Sequence, residues 1–523
     1  MNQEYESIVV GAGVAGLTCA AYLAKNGVKT LLVEKQNKTG GLVNTFWRDG
    51  FAFDAGARAF ENSGILFPML KGLGIEIEFI KNSVSIGIGN RWVKLHSRAS
   101  LEDYADMLSK TFQDNASDIF LIKKEIQKIM SYLDVIYGID NPLFLEDMHD
   151  FEYMKNTLLP WLIKYQRNIH HIRRLQEPVY QYLEQFTSNQ ALIDMIAQHF
   201  FQNTPAFFAL SYFSLYLDYN YPVGGTGVLT KKLTDYYLDA DGNLLLEKAV
   251  IGLDIDKREL ELSDGQRFGY NQLVWAADQK TLYQVIRGPV SRKIEERRAL
   301  TSNSLGADSI FTLFLAVDMD RDVLLERMGA HAFYTPKTQG LSSLPLWKKV
   351  QLAGRESLYS WVESFLQNTT YELSCPAARD VTLAPPGQTG LIISTLMDYQ
   401  LVKTFAEAGE YENFKKFCTE KIIAILDSAL FTGLQEKLLF SIPSTPLTIE
   451  KNAGTHQGAI TGWAFANPEM PSESRFDKII KSVKTPIQNL HQCGQWTFSP
   501  SGIPTCVLTG KLAADAVLKN LRR

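Results

Sequence analysis

Gly11, Gly13 and Gly16 stand in a G-x-G-x-x-G turn, and Glu34 follows eighteen residues beyond the last of them. In such a turn the first glycine permits a tight bend and the second lets the backbone approach a pyrophosphate. The third lets a helix pack closely on a sheet. Val14 and Ala15 belong to the turn that would hold the cofactor, and the N-terminus of the helix after it would offer free N–H groups and a positive dipole end to the phosphate charge. Glu34 would accept hydrogen bonds from a ribose diol and repel a 2′-phosphate, which argues against NADP at this site. The pattern is short, and its context gives it meaning. Residues 7–10 read as a strand before the turn, 17–25 as a helix after it, and 30–33 as a second strand ending at the acid.

A second glycine loop, Thr39-Gly40-Gly41-Leu42, follows, and then Phe51-Ala52-Phe53-Asp54-Ala55-Gly56-Ala57-Arg58. NAD domains usually continue directly into another βαβ crossover. A loop that returns to the cofactor suits the longer FAD. Here the chain resembles the two-dinucleotide-binding-domain flavoproteins: amine oxidases, protoporphyrinogen oxidase, phytoene desaturases, carotenoid isomerases and retinol saturases. In that superfamily an arginine near the phosphates usually follows the glycine pair. Leu42 stands here instead, so phosphate binding must rest more on backbone amides.

Two further segments carry the resemblance. Leu490 to Trp496 reads as a strand and turn containing Gly494 and Gln495, and Ser499-Pro500-Ser501-Gly502-Ile503-Pro504 opens a helix over 505–518. Proline suits a first helical turn, where its missing N–H costs nothing. This resembles the closing signature of the phytoene desaturase, carotenoid isomerase and retinol saturase branch, with Ser499 and Ser501 replacing frequent glycines. The resemblance implies a helix N-terminus aimed at the flavin. Mid-chain, Asn220-Tyr221-Pro222-Val223-Gly224-Gly225 resembles the branch's return from substrate domain to flavin domain. A helix over 228–238 follows it, then strands at 244–246, 249–255, 258–262, 267–270 and 273–278. The resemblance implies that the Val250 backbone holds the adenine and that Ala277 ends a strand beside the cofactor. Lys35 and Ala57 complete the cofactor-binding set.

The fold class expected is α/β: a Rossmann-like FAD-binding domain (parallel sheet with crossover β-meander) plus a discontinuous α+β substrate domain with mixed sheet and helical cap. Residues 1–80, 222–305 and 450–523 would form the first; 81–221 and 306–449 would form the second. Two domains suit a chain of 523 residues. The first insert reads helical, at 101–111, 118–136, 151–167, 178–186 and 191–201. The second reads mostly as strands (310–317, 390–397, extended 437–449) with one helix at 412–426. An apolar ligand would sit between the domains.

Composition narrows the class. Hydrophobic residues make up 46% and charged ones 21%, and a net charge of −4 carries no nucleic-acid signature. The five cysteines show no pairing pattern and read as reduced thiols of a cytoplasmic protein. The eight histidines show no metal-ligand spacing, so no metal is expected. The fingerprint strand begins at residue 7 and leaves no room for a signal peptide, and no apolar run is long enough to span a bilayer. A single dinucleotide fingerprint leaves NAD(P)H only the role of an external reductant. Oligomeric state stays open.

Arg58 and His456 are the candidate catalytic residues. A cation after the Asp54-x-Gly56 step could stabilise reduced flavin or bind a substrate carboxylate; a structural salt bridge is the alternative. His456, in the glycine-rich stretch 454–462 read as a strand pair, has the right chemistry for proton transfer. Phe200, Phe201, Phe207, Phe208, Tyr212, Phe213 and Tyr216 could line a tunnel or simply form core. Lys164, Arg167, His170, His171, Arg173 and Arg174 could form a solvated helix face or a peripheral membrane contact. The function expected is FAD-dependent oxidation, reduction or isomerisation of carbon–carbon double bonds in an apolar, lipid-like small molecule. Alternatives are a flavin amine oxidase or protoporphyrinogen-oxidase-like enzyme, and a non-redox lipid escort like the GDP-dissociation inhibitors.

Overall fold

The computed structural model describes residues 3–145 and 151–522; residues 1, 2, 146–150 and 523 lie outside the described set. Its larger sheet runs in the order Asn243–Leu245, Thr30–Val33, Gln3–Val10, Arg267–Trp275, Glu259–Leu262, Val250–Asp254 and Ile286–Arg287. Residues 7–10 are buried, as befits a central strand covered on both faces. The first four strands are parallel, and the next two turn back as an antiparallel meander. Leu490–Gln492 pairs in parallel with the far half of Arg267–Trp275. This is the parallel sheet with crossover meander that the motifs implied. Residues 267–270 and 273–278, read as two strands, are instead the one strand Arg267–Trp275. The polar Gln272 does not break it, because that side chain is buried and donates to Asn489 Oδ1 at 3.2 Å.

The two chain ends pack together. Helix Val14–Lys25 lies against the last helix, Ile503–Leu521, where small residues permit close approach: a Cβ on Gly510 would stand 2.5 Å from the Ala15 carbonyl oxygen.

A second, seven-stranded mixed sheet runs Leu438–Ser444, Ser309–Val317, Thr389–Met397, Tyr371–Ser374, His331–Thr335, Val84–Ile88 and Arg91–Leu95. Phe311, Leu313, Ile393 and Leu373 face helices Arg355–Asn368, Tyr399–Glu407 and Tyr411–Ala429 in one core. At one level of the opposite face stand Ile86, Phe333, Glu372, Ser394 and Thr312, partnered strand to strand. A small sheet of Phe60–Glu61, Tyr219–Pro222 and Phe79–Lys81 connects this region to the first glycine segments.

Several expectations are corrected. The second insert is richer in helix than its apolar runs suggested. Leu358, Val362 and Leu366, four residues apart, bury one stripe of Arg355–Asn368. The first insert also supplies two strands, Val84–Ile88 and Arg91–Leu95, joined at Gly89 (φ +57°). The extended stretch 437–449 stops at Ser444, where Thr445 caps helix Pro446–Ala453; Thr448 N–H donates to Thr445 Oγ1 at 3.4 Å. The helix expected over 151–167 contains a π-turn, Met154–Leu158, just before Pro160, which lacks an N–H to donate. The strand pair at 454–462 is absent. Its glycines serve turns at positive φ, and His456–Gly458 forms a 3₁₀ turn.

Candidate functional site

The first glycine turn has two kinds of glycine. Gly16 cannot carry a side chain, because a Cβ there would collide with the Gly11 carbonyl oxygen. Gly11, at φ +100°, would bring a Cβ to 3.1 Å from the Ala276 carbonyl and 3.3 Å from Ala277. At Gly13, by contrast, a Cβ would meet no atom of the described residues within 4 Å, and none of their side chains caps the helix that begins at Val14. An open cradle beside an uncapped helix start fits a pyrophosphate. Gly40 bridges to Gly13 and donates its N–H to the Ala12 carbonyl at 2.8 Å, while Gly41 lies over Gly13. The second loop therefore folds back onto the first. Glu34 accepts from the Ala12 N–H (2.8 Å) and the Gln36 N–H (2.9 Å), one bond on each carboxylate oxygen. Each oxygen keeps a lone pair for a ribose hydroxyl.

The remaining cofactor candidates arrive from other segments. Gly494, at φ +96°, packs on Ala15, and Cys493 donates to the Trp275 carbonyl at 3.0 Å. Gln495 is half-buried beside Gly462. Gly502 is exposed at the start of the last helix and donates to Thr505 Oγ1 at 2.8 Å; Ile503 is half-buried and Pro504 buried. Lys35 is exposed and lies against Gly454, while Val250 is buried at the start of its strand, just after the loop whose Lys248 donates to the Glu34 carbonyl at 2.9 Å. The Leu42 carbonyl accepts from the Ala57 N–H at 3.3 Å.

Arg58 sits between the glycine loops and the seven-stranded sheet, 3% exposed. Its guanidinium donates to the Asp54 carbonyl (2.5 Å), the Gly56 carbonyl and Ser394 Oγ (3.1 Å), and Nε has no partner among the described residues. Beside it lies a chain of side chains that no sequence pattern announced. Arg379 donates to the Arg58 carbonyl (3.0 Å) and to Asn82 Oδ1 (3.3 Å). Asn82 Nδ2 donates to His331 Nδ1 (2.9 Å), which leaves Nε2–H to donate to Glu372 Oε1 (2.9 Å). Burial lowers the His331 pKa, consistent with a neutral ring. Burial raises the Glu372 carboxyl, but the His331 hydrogen bond and the Arg58 and Arg379 charges outweigh it and hold Glu372 below its ordinary range. Its side chain remains 30% exposed on the sheet face.

Rings lead away from this group. On helix Ala206–Leu217, Phe208, Tyr212 and Tyr216 meet edge to face in succession at 5.3 Å spacings, and Tyr216 continues to Phe333 at 5.1 Å and Tyr219 at 5.7 Å. Phe200 joins Tyr212 at 5.3 Å; Phe207, Phe213 and Tyr216 are buried in one helical core, against which Phe200, Tyr212 and Phe333 pack. Spacing of four residues fixes which rings share the face.

His456 stands apart from Arg58. Its Nε2 lies 2.9 Å from Lys280 Nζ and its N–H donates to Asp278 Oδ2 at 2.8 Å, so the Nδ1 atom carries the ring proton. Burial, then the Lys280 charge, lowers its pKa. The basic stretch is exposed throughout; Arg173 pairs with Asp477 at 2.8 Å and His171 stacks on Tyr132. The same helix exposes Leu159, Leu162 and Ile163. Among the described residues no helix is long and apolar enough to cross a membrane, and no cluster of metal-binding side chains occurs.

Comparison with known proteins follows the same lines. A model of the NAD(P)-binding Rossmann-like domain matches residues 9–73. The chloroplastic prolycopene isomerase of Daucus carota is 23% identical over 99% of this chain and 81% of its own. The lycopene-forming phytoene desaturase of Pseudescherichia vulneris is 22% identical over 99% of this chain and all of its own. These relatives, together with the Rossmann-like match, fit the phytoene desaturase, carotenoid isomerase and retinol saturase-like branch that the motifs resemble. An oxidoreductase from Methanosarcina mazei superposes with a TM-score of 0.63 at 13% identity, covering 98% of this chain and 99% of that one. Putrescine oxidase bound to putrescine gives 0.60 at 12%, with 99% of both chains covered. These two likenesses concern the fold.

Proposed function

We propose that this protein is an FAD-dependent oxidoreductase acting on carbon–carbon double bonds of an apolar isoprenoid, carotenoid- or retinoid-like or other lipid-like molecule, by desaturation, saturation or cis–trans isomerisation. The observation that carries the reading is the meeting of the open Gly13 cradle with the last helix, next to a ring-lined sheet face that ends at Arg58 and Glu372. FAD, when bound, supplies hydride or electron transfer to or from carbon. Gly13, Val14 and Ala15 would hold its phosphates, Glu34 its ribose, and the Gly494–Pro504 segment its flavin end. Arg58 would place a fixed positive charge near that end, and the rings of Phe208, Tyr212, Tyr216 and Phe333 would orient a flat polyene and exclude water.

The sheet carrying Glu372, with its helices, belongs in this reading to a substrate domain of residues 81–221 and 306–449, inserted into the flavin domain. Exposed Leu159, Leu162 and Ile163 beside Lys164 and Arg167 suit contact with an anionic lipid surface, from which an apolar substrate would be drawn. NAD(P)H would serve as an external reductant if the reaction is a saturation.

Anaerobic mixing tests the reading. The purified protein should carry flavin absorbance, and candidate polyenes should change it. Bleaching by substrate marks desaturation. Reoxidation by substrate after NADPH or dithionite marks saturation, and product of unchanged mass marks isomerisation. Protein without flavin bands even after FAD is added would point to the lipid escort instead.

A further inference from the structure

Glu61 and Tyr219 are cross-strand partners in the small sheet, so their side chains share a face. The Tyr219 ring stacks on His331 at 5.6 Å, and His331 donates to Glu372. Two carboxyl groups therefore stand at the ends of one short chain of contacts. Tyr212, in the middle of the ring ladder, lies within electrostatic reach of both Glu61 and Glu372. Nothing but its own backbone offers Glu61 a hydrogen bond among the described residues. The groups facing it are Asp218 from the end of helix Ala206–Leu217, Tyr137 from the end of helix Ala116–Ile136, and Tyr212 and Tyr219; Lys81 lies beyond, against Asp218.

We propose, building on the reading of the site as a polyene oxidoreductase, that Glu61 exchanges a proton with substrate carbon. Glu372, with the rings of Tyr212, Tyr216 and Phe333, stabilises the positive charge that this creates. Burial, reinforced by Asp218, pushes the Glu61 carboxyl up to about 7, opposite to Glu372. Carboxyl groups whose surroundings drive them apart divide the acid and the anion roles between them. The step balances. The Glu61 O–H bond breaks, the π electron pair forms a C–H bond at one end of the double bond, and the polyene becomes a delocalised cation beside carboxylate Glu61. Rotation and return of the proton complete an isomerisation without net redox change. FAD, when bound, would supply the hydride that turns this protonation into a saturation, or would take up hydride before Glu61 removes the proton in a desaturation. Ring faces and a fixed carboxylate both favour the cationic stage.

The test uses full-length protein with FAD in D2O, comparing wild type with Glu61→Gln and Glu61→Asp. Wild type should place deuterium from solvent on a polyene carbon. Glu61→Gln should lose that label and slow turnover by about 100-fold or more, while FAD content, dithionite reduction and the spectral shift on polyene binding stay unchanged. Glu61→Asp should recover part of the label. In wild type, with or without substrate, an infrared carbonyl band of a protonated carboxyl should fade with a midpoint near 7, and Glu61→Gln should lack it. Full label and an unaltered pH profile in Glu61→Gln overturn the proposal, as does a wild type without that band. Wild-type protein that lacks flavin absorbance, or leaves polyenes unchanged, overturns the oxidoreductase reading and this one with it.

Discussion

The two halves of the candidate site are made of different material. At the dinucleotide end the chemistry is main chain: glycines that must be bare, an uncapped helix start, and one acid. Along the seven-stranded sheet it is side chain: Arg58, Asn82, His331, Glu372, Arg379 and Ser394, drawn from six separate segments. Backbone sites depend on local conformation, which a few neighbouring residues dictate. Side-chain networks depend on register between strands far apart in sequence.

Substitution should separate the halves. Gly16→Ala should have the largest effect, because its Cβ would strike the Gly11 carbonyl. A loss of about 3 kcal/mol in chemical denaturation is expected, and near-wild-type stability would mean the turn can relax. Arg58→Ala should retain FAD but slow turnover by about 100-fold, because it strips the fixed charge beside Glu372. Normal turnover would reduce Arg58 to a tie between loop and sheet. Gly13→Ala probes the opposite case to Gly16→Ala: since its Cβ meets no atom of the described residues, the melting temperature of apoprotein should hold while FAD affinity falls at least about 10-fold, its N–H cradle blocked. Loss of stability there would erase the distinction between packing glycine and cradle glycine. Glu34→Ala should also weaken FAD retention, by about 10-fold, seen as flavin lost on gel filtration.

The smallest effect concerns pH. Glu61 titrates near 7 in the folded protein and near 4.3 in an unfolded chain. The folded state thus binds more protons in that window, and stability must fall as pH rises through it. Glu61→Gln should match wild type near pH 4 and melt roughly 2–4 °C higher at pH 8. A constant difference across the range would show that Glu61 is not held protonated.

Legibility followed the same division. The fingerprint turn, the strand ending at Glu34, the paired glycines and the closing helix could be read because each needs a particular residue at a fixed short offset. The crossover meander was legible too, apart from a false break at Gln272 that Asn489 and Asn520, supplied from elsewhere, make tolerable. Helix Arg355–Asn368 was missed although its stripe of Leu358, Val362 and Leu366 was available. Glu372 and Glu61 gave no signal. One is a lone acid in an apolar strand, the other three residues past Arg58, and neither has a motif.

Sequence alone determined the opening strand–turn–helix–strand unit and the place of Glu34 at its end, because glycine spacing and one acid encode that unit locally. Only the tertiary structure decided which charged side chains meet over the sheet, which rings share a face, and that His456 stands with Lys280 and Asp278 instead of with Arg58. Those outcomes rest on strand register and helix packing, where contacts between residues hundreds of positions apart set the local dielectric and the proton affinities.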